Sequence, residues 1–80
     1  MLCPMPRSTL RARETFAANL RKYRLDAKFS QEELASRAGL HRNYVGSVER
    51  GERNIAIDNM EKLAKALRLN VIDLLRENGK

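Results

Sequence analysis

The chain has few of the residues that cross-link a small protein, interrupt its helices or bind metals. Its 80 residues include one cysteine, two prolines and no tryptophan. The single cysteine, Cys3, cannot form an internal disulfide or build a cysteine-rich zinc site. No run of about 18 apolar residues is present, so no segment could span a bilayer, and the N-terminus lacks the features of a signal peptide. These absences predict a cytoplasmic protein with no metal, no cofactor and no membrane partner.

Helices are the expected secondary structure after the first few residues. Both prolines, Pro4 and Pro6, lie at the N-terminus, and no later proline interrupts a helix. Apolar residues recur at three- and four-residue steps, without the alternation typical of strands. We therefore expect an all-α fold, with a compact five-helix domain over residues 9–78 and a disordered tail over residues 1–8; an arm that touches DNA is the alternative for the tail.

Capping residues and glycines predict where two of the helices end. Ser30, with Glu33 three residues later, forms a capping box that opens a helix over residues 31–38. Gly39 is suited to the left-handed conformation that ends a helix, and Gly51 would end a third helix in the same way.

The outer helices have weaker boundary signals. The first helix is expected to begin at Ser8 or Thr9 and to reach about Ala27. Asn70, with Asp73 three residues later, should open a fifth helix that extends over about residues 70–78.

Residues 30–51 have the form of a helix–turn–helix, two short helices joined by a glycine and a buried aliphatic residue. At about 100° per residue, Val45 and Val48 point to one side of the second of these helices. The opposite side presents a different set of residues: Arg42, Asn43, Gly46, Ser47 and Arg50. Arginine and asparagine can bond guanine and adenine in bidentate fashion, and small residues permit close approach. This face therefore predicts binding to double-stranded DNA; a solvated face of accidental composition is the alternative.

The stretch SQEELASRAGLHRNYVGSVERGERN resembles the Cro/CI-type, xenobiotic-response-element-like helix–turn–helix of bacterial and phage regulators. The similarity covers about residues 15–75. Its second half, HRNYVGSVERGERN, also resembles the small controller proteins of restriction–modification systems. The resemblance implies a lambda-repressor-like, five-helix DNA-binding domain that acts as a sequence-specific transcriptional regulator.

Residue roles follow from the same resemblance. Arg42, Asn43 and Ser47 match base-contacting positions of the recognition helix. Tyr44 matches a position that contacts a phosphate or a thymine methyl, with packing on the second helix as the alternative. Gln31 matches the residue that docks the N-terminus of that helix on a phosphate, unless it is an ordinary first-turn residue.

Two further pairs have matching positions in the family. Arg53 and Asn54 match residues that clamp the DNA backbone, and a solvated loop is the alternative. Arg24 and Glu49 match an ion pair that links the first helix to the recognition helix, the alternative being two separate solvated charges.

The chain departs from the family at both ends of the fourth helix. Ala56 occupies the place of a serine cap, so no side chain is expected to cap that helix. Arg68 replaces a glycine that usually follows the helix. A non-glycine residue in a left-handed turn costs about 1–2 kcal/mol, so we expect this turn to take another form.

The protein is expected to act as a homodimer. The apolar side of helix five, formed by Ile72, Leu74 and Leu75, is the predicted interface, with intramolecular core as the alternative. A two-fold dimer would place its recognition helices about 34 Å apart on a palindromic operator. No small-molecule ligand is expected. The main alternative is an antitoxin that binds a toxin partner and autoregulates its operon.

No catalytic residues are expected, because His41 is the only histidine and no nucleophile–base pair or phosphate-cradling glycine loop is present. The protein is therefore predicted not to be an enzyme.

Positive charge is concentrated away from the helix–turn–helix. The formal net charge is +6, to which residues 1–28 contribute +5, residues 29–54 nothing and residues 55–80 +1. The surplus is expected to govern attraction to DNA, and a few placed side chains to govern which DNA is bound.

Overall fold

The computed structural model describes residues 11–77, which contain five α-helices and no strand. This confirms the predicted all-α class. The helices are α1 (Arg11–Asp26), α2 (Gln31–Ala38), α3 (Arg42–Glu49), α4 (Ile57–Ala66) and α5 (Val71–Leu75). The predicted tail and the predicted start of helix one lie outside the described residues. None of the described helices combines the length and apolar character needed to cross a membrane.

Local signals account for both ends of α2. The hydroxyl of Ser30 accepts a hydrogen bond from the Glu33 N–H at 2.9 Å. The Glu33 carboxylate accepts instead from Arg37 Nε at 2.9 Å, so only one half of the predicted capping box is formed. Gly39 ends the helix with φ +72°, as predicted, and the next N–H bonds back to the Ala35 carbonyl.

All five helices contribute to one core. A set of large side chains, at least one from each helix, is almost completely buried: Phe16, Leu20, Leu34, Val45, Leu63 and Leu74. Removing these side chains from water supplies the main driving force for folding. Because α3 contributes Val45 and Val48 to this core, the rotation of α3 about its own axis is fixed.

Helix α5 differs from its prediction in length and in orientation. It ends at Leu75, where the sequence predicts a helix to about residue 78, and residue 78 itself is outside the described range. The Asn19 side chain donates to the carbonyls of Leu74 at 2.9 Å and Arg76 at 2.8 Å, which closes this end of the helix. Leu74 is 0% exposed and belongs to the core, so its predicted place in a dimer interface is wrong. Ile72 lies outward and Leu75 is half-buried.

The turn after α4 also corrects an expectation. Arg68 adopts φ +61°, so the turn keeps the left-handed form in spite of its steric cost. Two backbone bonds close it, from Arg68 N–H to the Lys65 carbonyl and from Leu69 N–H to the Ala64 carbonyl. Leu69 then packs against the core. Burial of this side chain offsets strain that the local sequence alone would not tolerate.

The beginnings of α4 and α5 agree with the sequence. Ala56 precedes α4 without a side-chain hydrogen bond to cap it. At α5, the Asn70 N–H donates to the carboxylate of Asp73 at 3.0 Å, as expected for this spacing.

Candidate nucleic-acid interface

A buried ion pair fixes the C-terminal end of α3 against α1. Arg24 Nε lies 2.6 Å from Glu49 Oε2, and Arg24 Nη2 donates to Glu49 Oε1 at 3.0 Å. The two side chains are 9% and 1% exposed. A third guanidinium nitrogen donates to the Phe29 carbonyl at 2.9 Å. The two residues therefore meet as the family resemblance implies, in the bidentate geometry that specifies orientation best.

Gln31 extends this network to the N-terminus of α2. Its Nε2 donates to Glu49 Oε1 at 3.0 Å, so Glu49 accepts hydrogen bonds from both other helices of the site. The Oε1 atom of Gln31 lies over Gly46. A Cβ added to Gly46 would lie 3.2 Å from this atom and 3.3 Å from Arg50 Nη1. Gly46 thus allows α2 to pack on α3. It is buried beneath two side chains rather than presented on the outer face.

Ser47 does not lie on the outer face either, which corrects the sequence prediction. It is 6% exposed. Its hydroxyl donates to the Tyr44 carbonyl at 2.8 Å and accepts from Arg53 Nε at 3.0 Å. The hydroxyl proton is already used in the first of these bonds. Ser47 therefore holds Arg53 in place instead of presenting its own hydroxyl to a base.

Tyr44 connects α3 to α4 and to the loop between them. Its hydroxyl accepts a hydrogen bond from Asn59 Nδ2 at 3.1 Å. The guanidinium carbon of Arg53 lies 5.5 Å from the ring centroid, within the range of a cation–π contact. Sequence reasoning missed Asn59, because no local pattern connects it to a residue 15 positions earlier.

Three predicted DNA-binding side chains remain exposed on α3 and at its end: Arg42, Asn43 and Arg50. Together with Gln31 they line a groove of about 540 Å³ between the start of α2 and α3. We call these four residues the reading surface. Arg53 and Asn54 are exposed in the loop that follows.

Carboxylates lie beside both arginines of the reading surface. Arg50 Nε is 3.1 Å from Glu52 Oε2, and Arg42 Nη1 is 3.7 Å from Glu32 Oε1. A hydrogen bond from Arg50 to Glu52, and secondarily the charge of Glu52, raises the pKa of the Arg50 guanidinium above its ordinary value. Arginine is protonated at any ordinary pH, so Arg50 is a cation at this surface with or without Glu52.

Metal-binding side chains do not cluster at this place in the part of the chain that the structure describes. Within residues 11–77, no three histidine, cysteine, aspartate or glutamate side chains come close enough together to hold a metal ion. The groove is lined mainly by amide and guanidinium groups, with the Ser30 hydroxyl and the Glu32 carboxylate at its edge; amides and guanidinium groups suit the hydrogen-bonding edges of bases and the oxygens of phosphates.

A recognition-type helix held against a partner helix, with arginine and asparagine on its outer side, defines a helix–turn–helix DNA-binding protein. The helix–turn–helix family model matches residues 20–74. The chain belongs to this family of DNA-binding transcription regulators.

Individual relatives agree with this assignment. The control protein C.SmaI of Serratia marcescens is 49% identical over 67 residues, which cover 84% of this chain and 80% of the relative. The restriction–modification controller protein C.AhdI from Aeromonas hydrophila has a TM-score of 0.75 at 45% identity, covering 78% of this chain and 94% of that one. The biofilm regulator SinR in complex with DNA has a TM-score of 0.73 at 32% identity, covering 76% and 98% respectively. The resemblance to Cro/CI-type regulators and controller proteins is confirmed.

Proposed function

We propose that this protein is a sequence-specific transcriptional regulator that binds a palindromic operator as a homodimer and controls a restriction–modification system. One observation carries the proposal. The outer side of α3 presents Arg42, Asn43 and Arg50, while the buried Arg24–Glu49 pair holds that helix in a single orientation. The regulatory role is supported by similarity to control proteins and to a regulator in complex with DNA.

In this proposal, α3 enters the major groove and reads base edges. A helix of eight residues is about 12 Å long, comparable with the width of the groove. Arg42 and Asn43 lie in its first turn and Arg50 just beyond its last. Arginine pairs best with guanine O6 and N7, and asparagine with adenine N6 and N7. The residues that read sequence therefore lie at both ends of the helix.

Phosphate contacts come from the flanks of the same surface. Gln31 is the first residue of α2, where free N–H groups and the helix dipole favour a phosphate. Arg53 and Asn54 approach the backbone from the loop after α3. Ser47 and Tyr44 hold the Arg53 guanidinium in place, so Ser47 contributes to binding by positioning a clamp.

Two arginine variants would separate base contacts from phosphate contacts, once the bound sites have been selected from random DNA. Arg42→Ala is expected to lose about 1–3 kcal/mol of binding free energy and to relax the preference at one base pair. Arg53→Ala is expected to weaken binding to all sequences alike and to reduce the salt slope by about one. Affinities measured at several salt concentrations give both quantities. A uniform loss in both variants would contradict the assigned roles.

The remaining dimer residues lie at the outer side of α5. Ile72 is 67% exposed and Leu75 is half-buried, so Ile72 is the apolar side chain of α5 that is most available to a second copy. We expect the wild-type protein to sediment as a dimer at tens of micromolar and Ile72→Asp to sediment as a monomer, because a charge buried at the interface would lack a partner.

Ile57→Asp is the matched control for this measurement. Ile57 has a similar exposure, 69%, but begins α4, so its variant should remain a dimer. A monomeric wild-type protein, or an Ile72→Asp variant that still dimerises, would exclude this interface.

The antitoxin alternative gains no support from the relatives described above, which are control proteins and a DNA-bound regulator. The controller function is therefore the one we put forward.

A further inference from the structure

The two ion pairs on the reading surface contribute little to stability. All four side chains of the Arg42–Glu32 and Arg50–Glu52 pairs are more than half exposed. Exposed pairs of this kind change an equilibrium constant by at most about fivefold. Either guanidinium can therefore leave its carboxylate when a stronger partner arrives.

Carboxylates are unexpected on a surface that approaches DNA. Residues 29–54 carry four basic and four acidic residues, so the helix–turn–helix has no net charge. Glu32 and Glu52 would face the phosphates together with the arginines that they accompany. They repel the DNA backbone, and they occupy guanidinium groups that would otherwise bind phosphates.

The two kinds of DNA offer the arginines different partners. On random DNA, Arg42 and Arg50 can gain only phosphate contacts, which an adjacent carboxylate opposes directly. On an operator, each can form a bidentate pair with a guanine, which favours the correct base about 5- to 150-fold. That pair exceeds the value of an exposed ion pair, so the carboxylate is displaced there.

We propose that Glu32 and Glu52 are specificity-determining residues that suppress binding to random DNA. Their charge weakens the contacts that Arg42 and Arg50 make with phosphates, and this cost is offset only where a correctly placed base binds the guanidinium. The inference rests on the proposed reading of DNA by α3. It assigns a function to two residues that contact no base themselves.

The test uses E32Q, E52Q and the double variant, with a random-sequence duplex and the selected operator as probes. One additional phosphate contact contributes about 0.9 to the salt slope. Each substitution should therefore raise the affinity for random duplex about three- to eightfold near 0.1 M salt, and steepen its salt dependence. Operator affinity should rise less, so that the ratio of operator to random affinity falls.

E77Q is the matched control. It removes the same charge from the exposed Arg11–Glu77 pair, and Arg11 lies about 20 Å from Arg24 along α1. That distance exceeds the screening length of about 10 Å in 0.1 M salt, so any gain of E77Q in affinity for random duplex measures the general effect of removing one negative charge, and the gains of E32Q and E52Q should exceed it. Sedimentation of each variant verifies an unchanged assembly.

Two results would overturn the inference. In the first, E32Q and E52Q change the affinity for random duplex no more than E77Q does. In the second, they raise the affinity for the operator as much as the affinity for random duplex. A wild-type protein that prefers no duplex overturns the proposed function instead, and that result requires no variant.

Discussion

Glu49→Ala is expected to destabilise the protein by about 3–5 kcal/mol, because it leaves a buried guanidinium without its counter-charge. The Arg24 side chain is 9% exposed, and after the substitution only the Phe29 carbonyl would still accept from it among the partners described above. Small domains are stable by only about 5–15 kcal/mol. We therefore expect a large shift of the urea midpoint, measured by circular dichroism, and a partly unfolded population at 37 °C.

A matched substitution separates burial from charge. Glu61→Ala removes a carboxylate that lies 3.7 Å from Lys65 on the surface of α4. It should change the unfolding free energy by less than about 1 kcal/mol. Equal effects of Glu49→Ala and Glu61→Ala would show that the buried pair has no special role.

A double variant separates stability from the positioning of the reading surface. Replacing both Arg24 and Glu49 with leucine removes two buried charges at once and should recover most of the lost stability. Gln31 would still lose the carboxylate that holds its amide at 3.0 Å. We therefore expect this variant to fold but to bind its operator more weakly than the wild type.

Asn19→Ala is the second substitution with a large expected effect, about 2–4 kcal/mol. It removes the donor to two carbonyls at the end of α5, those of Leu74 and Arg76. The buried Leu74 carbonyl, left unpaired, costs about 1–3 kcal/mol, and loss of the part-buried bond to the Arg76 carbonyl adds about 0.5–1.5 kcal/mol. Denaturant unfolding measures the loss, and hydrogen exchange should show that amides of α5 open first.

Two comparisons keep this prediction specific. Asn19→Leu restores side-chain volume without a donor, so it should remain destabilised if the hydrogen bonds are the cause. Asn59→Ala removes one half-buried bond to Tyr44 and should cost only about 0.5–1.5 kcal/mol. Full stability of Asn19→Leu would mean that packing alone holds α5.

The helix boundaries were predictable where the signals are local. Ser30 and Gly39 lie at the ends of α2 and act through atoms within a few residues. Arg68 was not predictable in this way, because its left-handed conformation is tolerated through the packing of Leu69 against the distant core. The Arg24–Glu49 pair spans 25 positions and was inferred from the resemblance to a family.

The face of α3 was only partly predictable for a similar reason. A projection at about 100° per residue separates buried from exposed sides of an isolated helix. It does not include neighbours that cover the exposed side. Gln31 covers Gly46 from α2, and Arg53 returns from the following loop to Ser47. Helix α5 has barely more than one turn, too few residues for the sequence to show which side packs on the core. Leu74 was therefore predicted in the dimer interface although it is buried.

Helix α1 holds both α5 and α3, and so fixes the distance between these two helices. Asn19 holds the end of α5, and Arg24, five residues further along the same rigid helix, holds α3. These anchor points are about 7.5 Å apart along the axis. In a dimer formed through α5, this length and its helical phase would determine the separation of the two half-sites. Substitutions in α3 could then change the bases that are recognised while the number of base pairs between half-sites stays the same.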